Sequence, residues 1–281
     1  MAVKITCDSS TDLTKDMYED LNVEVLPFTI TLGEKVYTDT VDINSKIIFD
    51  YVAENKVLPK TSAINEFTFK EFFEKHNTKD GMVFISLSSR ASSSCSNAKK
   101  ASEEFENVYV VDSYSLSTGA GALVLYACEL RDKGLSAKEI AEKLEERKKH
   151  LQVSFVVDKL DYLHKGGRCS SVQRFGANLL KLHPSIKLSE GAMSVHKKYR
   201  GKIADVTKVY MEETLKEFNT PCLDFCFITY SSASDEMLNN AKQVVEKFGK
   251  FKKVYITTAG ATITSHCGPN TIGLLYFNDG K

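Results

Sequence analysis

Apolar and polar positions follow two rhythms along most of this chain. Short β-branched or apolar runs of strand length recur at residues 3–7, 23–31, 83–87 and 108–111. Between them, apolar residues return every three or four positions, at 45–54, 69–73, 97–105, 119–131 and 137–144. Strand periods alternating with helix periods predict an α/β layer built on a mostly parallel sheet. Thr68-Phe69-Lys70-Glu71 and Ser136-Ala137-Lys138-Glu139 read as capping boxes. Asp8 to Asp12 reads as the cap of a helix starting near Leu13, and Pro27 as an irregularity in the second strand. Residues 119–131 are apolar around most of their circumference, the pattern of a helix buried on more than one face.

The texture changes from Leu151. Residues 152–157, 225–230, 254–258 and 272–277 read as strands. Residues 172–180, 206–218 and the amphipathic 237–248, closed by Gly249, read as helices. Met193 to His196, with the basic residues that follow, reads as a turn between short strands. The change places a domain boundary near 151–159, dividing the chain into residues 1–155 and 156–281.

Candidate chemistry concentrates in VFISLSSRASSSCS, residues 83–96. A strand runs into a serine tract and then into a helix, so hydroxyls and the unpaired N–H groups of the helix start face one way. This arrangement suits the head group of an anionic ligand; the plain alternative is a flexible polar loop. The strand ends after Cys7, Leu87 and Val111 all carry Ser and Asp. Parallel strands would bring these clusters to one edge, the edge at which open α/β sheets bind ligands.

Composition narrows the classes. Lys plus Arg and Asp plus Glu are both 37, so nothing global draws the chain to nucleic acid or an anionic membrane. Scattered aromatics also argue against a nucleic-acid module. Seven cysteines without a CxxC pair indicate buried free thiols of a reducing cytosol, with neither a zinc site nor a disulfide framework. No run approaches the ~18 apolar residues of a membrane span, and no leader of signal length is evident. The expectation is a cytoplasmic protein without stable membrane insertion. A cluster of Lys197, Lys198, Arg200 and Lys202 beside His196 reads as a solvated hairpin, or as a docking face for an acidic partner. There is no GxxxxGK[ST] loop and no GxGxxG after a strand, so no nucleotide cofactor is expected.

Several stretches in register resemble the DegV family of bacterial fatty-acid-binding proteins. The most specific is LDYLHKGGRCS at 160–170, supported by VVDSYSLSTGAG at 110–121 and HCGPNTIG at 266–273. Thr61-Ser62, the serine tract at 88–94 and LLKLHPSIKL at 179–188 match further family segments. The resemblance implies two α/β domains, the first with a parallel sheet in a three-layer arrangement, the second with a mixed sheet. It implies a long-chain fatty acid with its carboxylate at the domain junction and its tail buried. It further implies that the chain is a non-catalytic carrier presenting the acid to a separate fatty acid kinase subunit, which makes the acyl phosphate.

Carried onto this chain, the ligand-binding candidates are Thr61, Ser62, Ser92, Ser93, Ser94, Arg168 and His266. Ser92 matches the motif serine and is the first choice as carboxylate donor, by a short charge-assisted hydrogen bond; its plainer role is to cap the next helix. Ser93 and Ser94 stand where the family usually has Gly-Thr, which puts the carboxylate geometry in question. Arg168 either grips the anion or makes an interdomain ion pair to Asp8, Asp112 or Asp161. His266 is a head-group donor or a structural residue before a Gly-Pro turn. Phe28, Ile30, Leu116, Phe155 and Ile263 are candidate tail contacts, each equally readable as core. The competing function is a serine hydrolase or acyl transferase with Ser92 or Ser93 as nucleophile and His266 as base. No Gly-x-Ser-x-Gly elbow supports it.

Overall fold

The computed structural model describes residues 3–169 and 182–279. In chain order the first half comprises β1 (Lys4–Asp8), α1 (Lys15–Asp20), β2 (Glu24–Leu26), β3 (Thr29–Leu32), β4 (Lys35–Thr38), α2 (Ser45–Asn55) and β5 (Lys60–Ser62). It continues through α3 (Glu66–His76), β6 (Met82–Ser86), α4 (Ser94–Ser102), β7 (Val108–Asp112), α5 (Ser117–Asp132) and α6 (Ala137–Arg147). Four strands form an all-parallel sheet in the order β2-β1-β6-β7. Every residue of the inner strand β6, MVFIS, is buried, as expected of a parallel strand covered on both faces.

The strand expected at 23–31 is two strands in two different sheets. Pro27 has no N–H to give a ladder. The chain leaves the parallel sheet there and builds a small antiparallel sheet, β4-β3-β5. Two helix starts also differ from expectation. Asp8 caps a short 3₁₀ turn, Ser9–Thr11, and α1 begins later, with Thr14 as its cap. Thr68 lies inside α3, whose cap is Asn65: its side chain accepts from the Thr68 N–H. The box at Ser136 forms as expected, with both reciprocal bonds to Glu139.

The second half comprises β8 (Leu151–Val156), α7 (Asp161–Gly166), β9 (His183–Ser189), β10 (Ala192–Tyr199), α8 (Ile203–Glu217) and β11 (Phe225–Tyr230). Then follow α9 (Asp235–Val244), β12 (Lys253–Thr258), α10 (Ala261–Cys267) and β13 (Ile272–Phe277). Its sheet is mixed, in the order β10-β9-β8-β13-β11-β12, with only β11 and β12 parallel. All of β8 pairs within this sheet, with β13 on one side and β9 on the other. Of the basic residues expected in a turn, Lys197 and Lys198 belong to β10, with Arg200 and Lys202 beyond its end; the turn between the strands is Glu190-Gly191. Lys197 is paired with Glu213 and Glu217 of α8, and His196 with Glu217, so part of the cluster is spent internally. The helix expected at 172–180 lies outside the described residues, as does part of the 179–188 match.

Packing joins the halves into one core. α5 lies between the two sheets: its buried residues join a cluster that takes Cys7, Val83 and Ile85 from the first sheet and Val153, Phe227 and Leu275 from the second. Its Gly-Ala-Gly-Ala start keeps the layers close. The outer face of the mixed sheet is covered by α8 and α9, and the small sheet packs on α2 and α10. No disulfide joins any of the seven cysteines, all of which lie among the described residues, and six of them are buried.

Candidate functional site

A cavity of about 260 Å³ lies where the carboxyl edge of the parallel sheet meets the mixed sheet. Its apolar wall comes from both halves: Phe28, Leu87 and Leu116 from the first, Phe155, Leu163, Met193, Ile263 and Leu275 from the second. Of the expected tail contacts, Phe28, Leu116, Phe155 and Ile263 line it. Ile30 does not; it packs with Leu32, Ile43 and Ile48 in a separate core under the small sheet. Leu163, Met193 and Leu275 carry no signal in the sequence beyond that of ordinary core residues.

At the polar end, four segments from distant parts of the chain converge. β5 presents Thr61 and Ser62, the loop from β6 to α4 presents Ser92 and Ser93, and α10 with the Gly166-Gly167-Arg168 turn presents His266 and Arg168. Thr61 Oγ1 lies 2.8 Å from His266 Nε2. Burial, and after it the positive charge of Arg168, pushes the His266 imidazole down to about 4, so it is neutral at pH 7. Its Nδ1 is buried without a partner among the described residues. A neutral imidazole donating Nε2–H to Thr61 leaves the threonine hydroxyl free to donate in turn to an anion.

The serines of the tract divide by their surroundings. Ser92 Oγ accepts the Ser94 N–H at 3.2 Å and lies 3.0 Å from the Ser94 hydroxyl, so it is engaged in the local turn. Ser94 is fully buried outside the cavity lining and accepts the Ile64 N–H at 3.1 Å. Ser93 stands at the start of α4, makes no capping bond, and is exposed within the lining; its hydroxyl has no partner among the described residues. Its backbone is in the ordinary right-handed region, φ −74°, so a β-carbon is accommodated there without strain. Arg168 is exposed at the rim and donates to the Gly166 carbonyl at 2.5 Å; none of Asp8, Asp112 and Asp161 is its ion-pair partner. Arg174, by its exposed pattern a weaker candidate than Arg168, lies outside the described residues.

The three polar strand ends do meet on one edge, but two turn inward. Asp8 accepts from the Leu87 N–H at 2.7 Å and from Ser10. Asp12 accepts from Ser117 Oγ at 2.5 Å and Gly260 N at 2.9 Å. Asp112 accepts from the N–H groups of Ser89 and Tyr114. These carboxylates hold loops, and only the Leu87 end offers unspent hydroxyls to the cavity. Ser88 Oγ donates to the Gly191 carbonyl at 3.0 Å, tying the tip of the β9–β10 turn to the base of the tract.

The geometry defines a ligand-binding protein with a mainly apolar cavity and a hydroxyl-rich, weakly cationic end. The model of the DegV family of uncharacterised proteins matches residues 2–279. The chain belongs to the DegV family. A DegV domain-containing protein of Clostridium acetobutylicum is 30% identical over 282 residues, covering 98% of each chain. A solved DegV family protein of Thermus thermophilus, described as binding fatty acid, superposes with a TM-score of 0.88 at 30% identity over 99% of each chain. The Fatty Acid Kinase (Fak) B3 protein of Streptococcus pneumoniae, solved loaded with linoleic acid, shares the fold: TM-score 0.84 at 19% identity, over 99% of this chain and all of that one. Among the described residues no helix is long and apolar enough to cross a membrane, and no cluster of side chains suits a metal ion.

Proposed function

We propose that this protein binds a long-chain fatty acid, with its carboxylate at Thr61, Ser93 and the rim arginine Arg168 and its tail in the cavity between the sheets. The observation that carries the reading is a mainly apolar cavity whose lining includes the hydroxyls of Thr61, Ser62 and Ser93, that of Ser93 having no partner among the described residues. Each buried CH₂ contributes ~0.8 kcal/mol, so ten contribute on the order of 8 kcal/mol before the costs of ordering the chain. Tail burial supplies most of the affinity. The hydroxyls orient the head group, and Ser93 takes the donor role expected of Ser92. Ser62, exposed beside Thr61, serves as a further donor at the rim.

The bound acid is presented to a separate kinase, and the chain itself catalyses nothing. The shared fold of the pneumococcal kinase B3 protein supports the first part. The imidazole supports the second: Nε2 faces Thr61 rather than a serine, and Nδ1 has no carboxylate to orient it, as a nucleophile-base-acid relay requires. The test is mass spectrometry of solvent extracts of the purified protein, followed by uptake of added palmitate or oleate. Release or uptake of a long-chain acid is expected; neither occurring overturns the reading. Reaction of Ser92 or Ser93 with an active-serine probe, abolished in His266→Ala, would instead establish the hydrolase.

A further inference from the structure

Thr61 and His266 come from elements that share no sheet and no neighbouring sequence, and their 2.8 Å contact needs something to set the two in register. A buried carboxylate supplies such a link. Asp39 follows β4, an edge strand of the small sheet whose other edge strand, β5, carries Thr61. Its side chain is fully buried and reaches across to the first turn of α10, the helix that carries His266. Oδ1 accepts the Ala261 N–H at 3.0 Å and Oδ2 accepts the Thr262 N–H at 3.3 Å and the Ser9 hydroxyl at 2.9 Å. Ser9 Oγ in turn accepts the N–H of Phe28, a cavity-wall residue.

We infer that Asp39 is the positioning residue of the head-group site: it holds the first turn of α10 against the sheet that bears Thr61, and thereby sets the Thr61–His266 contact. Asp39 holds the helix at its start and Thr61 meets it one turn beyond Thr262, while Ser45 Oγ lies 3.1 Å from Thr264 Oγ1 on another side. The Asp39 bonds fix the rotation of the first turn, and with it the direction in which His266 leaves so short a helix. Backbone N–H groups at a helix start are unpaired within the helix, and a carboxylate there makes charge-assisted bonds. Asp12 takes the adjacent Gly260 N–H from the other side. The absence of a side chain at Gly260 is what lets both carboxylates close in, since a β-carbon there would stand 3.0 Å from Asp12 Oδ1 and 3.4 Å from Asp39 Oδ1.

The effect on binding rests on the fatty acid reading, but the positioning itself is measurable without ligand. Three full-length variants are compared with the parent: Asp39→Asn, Thr61→Val and the double. The readouts are the nitrogen resonances of His266 in the ligand-free protein, palmitate Kd and Tm. Asp39→Asn is expected to move the His266 resonances toward those of Thr61→Val and to weaken palmitate about tenfold, on the scale of one lost charge-assisted bond. The double variant should bind no more than about twofold more weakly than Thr61→Val, because the contact is already lost. Unmoved His266 resonances, or Kd losses that multiply, make Asp39 a stability residue only and overturn the inference. Should Asp39→Asn fail to fold, Gly260→Ala crowds the same clasp with both carboxylates kept. It must then move His266; an unchanged imidazole overturns the inference equally. If His266 moves but no variant, nor the parent, binds palmitate, the positioning stands and the fatty acid reading falls.

Discussion

Two segments of the parallel sheet look alike in sequence and are used in opposite ways. After β1 the chain reads Asp-Ser-Ser-Thr-Asp, and after β6 it reads Ser-Ser-Arg-Ala-Ser-Ser-Ser. In the first, every side chain is buried with an internal partner: Asp8 with Ser10 and Leu87 N, Ser9 with Asp39, Thr11 with Tyr18, Asp12 with Ser117. In the second, Ser93 faces the cavity unspent. The difference is the carboxylate. An ionised Asp offers only acceptors and consumes the donors around it. A tract of serines without acid keeps a hydroxyl available, so the acceptor that the first segment carries in its own chain would have to come from outside the tract.

Exchanging the acid for a neutral group should break that contrast most strongly. Asp8→Ala strands the buried Leu87 N–H and the Ser10 donors. Its unfolding free energy in denaturant should fall by about 3–5 kcal/mol. Ser93→Ala should stay within about 0.5 kcal/mol of the parent. Equal losses in the two variants would erase the distinction.

Protonation sharpens it next. Burial pushes Asp8 up to about 6, partly offset by the bonds from Ser10 and Leu87, while His266 is pushed down to about 4. The folded state therefore favours the protonated Asp8, a contribution complete below pH ~4 and lost as pH rises through about 6. Asp12, also raised by burial, acts in the same direction. The folded state favours neutral His266, a contribution complete above pH ~6.5 and lost as pH falls through about 4. Each amounts to about 3 kcal/mol at ~1.4 kcal/mol per pH unit, with opposite slopes between pH 4 and 6.5. Relative to the parent, the stability curve of His266→Gln should fall more steeply with pH across that window and that of Asp8→Asn less steeply; curves parallel to the parent's would refute the assignment.

A smaller effect tests how the serine tract is held. Gly191 has φ +79°, and a β-carbon there would meet Ser88 Oγ at 2.4 Å. Gly191→Ala should cost about 1–2 kcal/mol in denaturant and speed the release of bound acid in stopped flow, and Ser88→Ala should restore part of both. The least disruptive change is Ser93→Ala itself in binding: about tenfold weaker palmitate at unchanged Tm, with Ser92→Ala closer to the parent. A larger loss for Ser92→Ala would return the donor role to that residue.

Element types were largely legible in the sequence, because period and capping are local. What was not legible depends on partners. The pattern at 23–31 shows a β-branched run and a proline, but which sheet each side of Pro27 joins is decided by pairing with β1 or β5. β8 alternates like any strand, and only its ladders to β13 and β9 assign it to the second half. In the site, Thr61 and His266 are ordinary turn residues by composition and were singled out through the family resemblance alone. Ser92 and Ser93 are indistinguishable in a run of serines; the local turn that engages one and frees the other exists only once α4 is in place. Asp39 carries no signal at all, since its targets are backbone N–H groups more than 220 residues away.

That separation has a consequence for the life of the chain. Ser45 Oγ donates to the Ala259 carbonyl, Asp39 holds Ala261 and Thr262, and Thr61 meets His266, so the wall of the cavity is stitched from residues near both ends. During synthesis the parallel sheet can close once β7 and its flanking helices emerge, but no cavity exists until α10 has left the ribosome. Contacts of such long sequence separation form late and slowly. A nascent chain, or one truncated before α10, therefore presents the serine tract without its pocket, and a closed cavity certifies that the chain has been made and folded through α10.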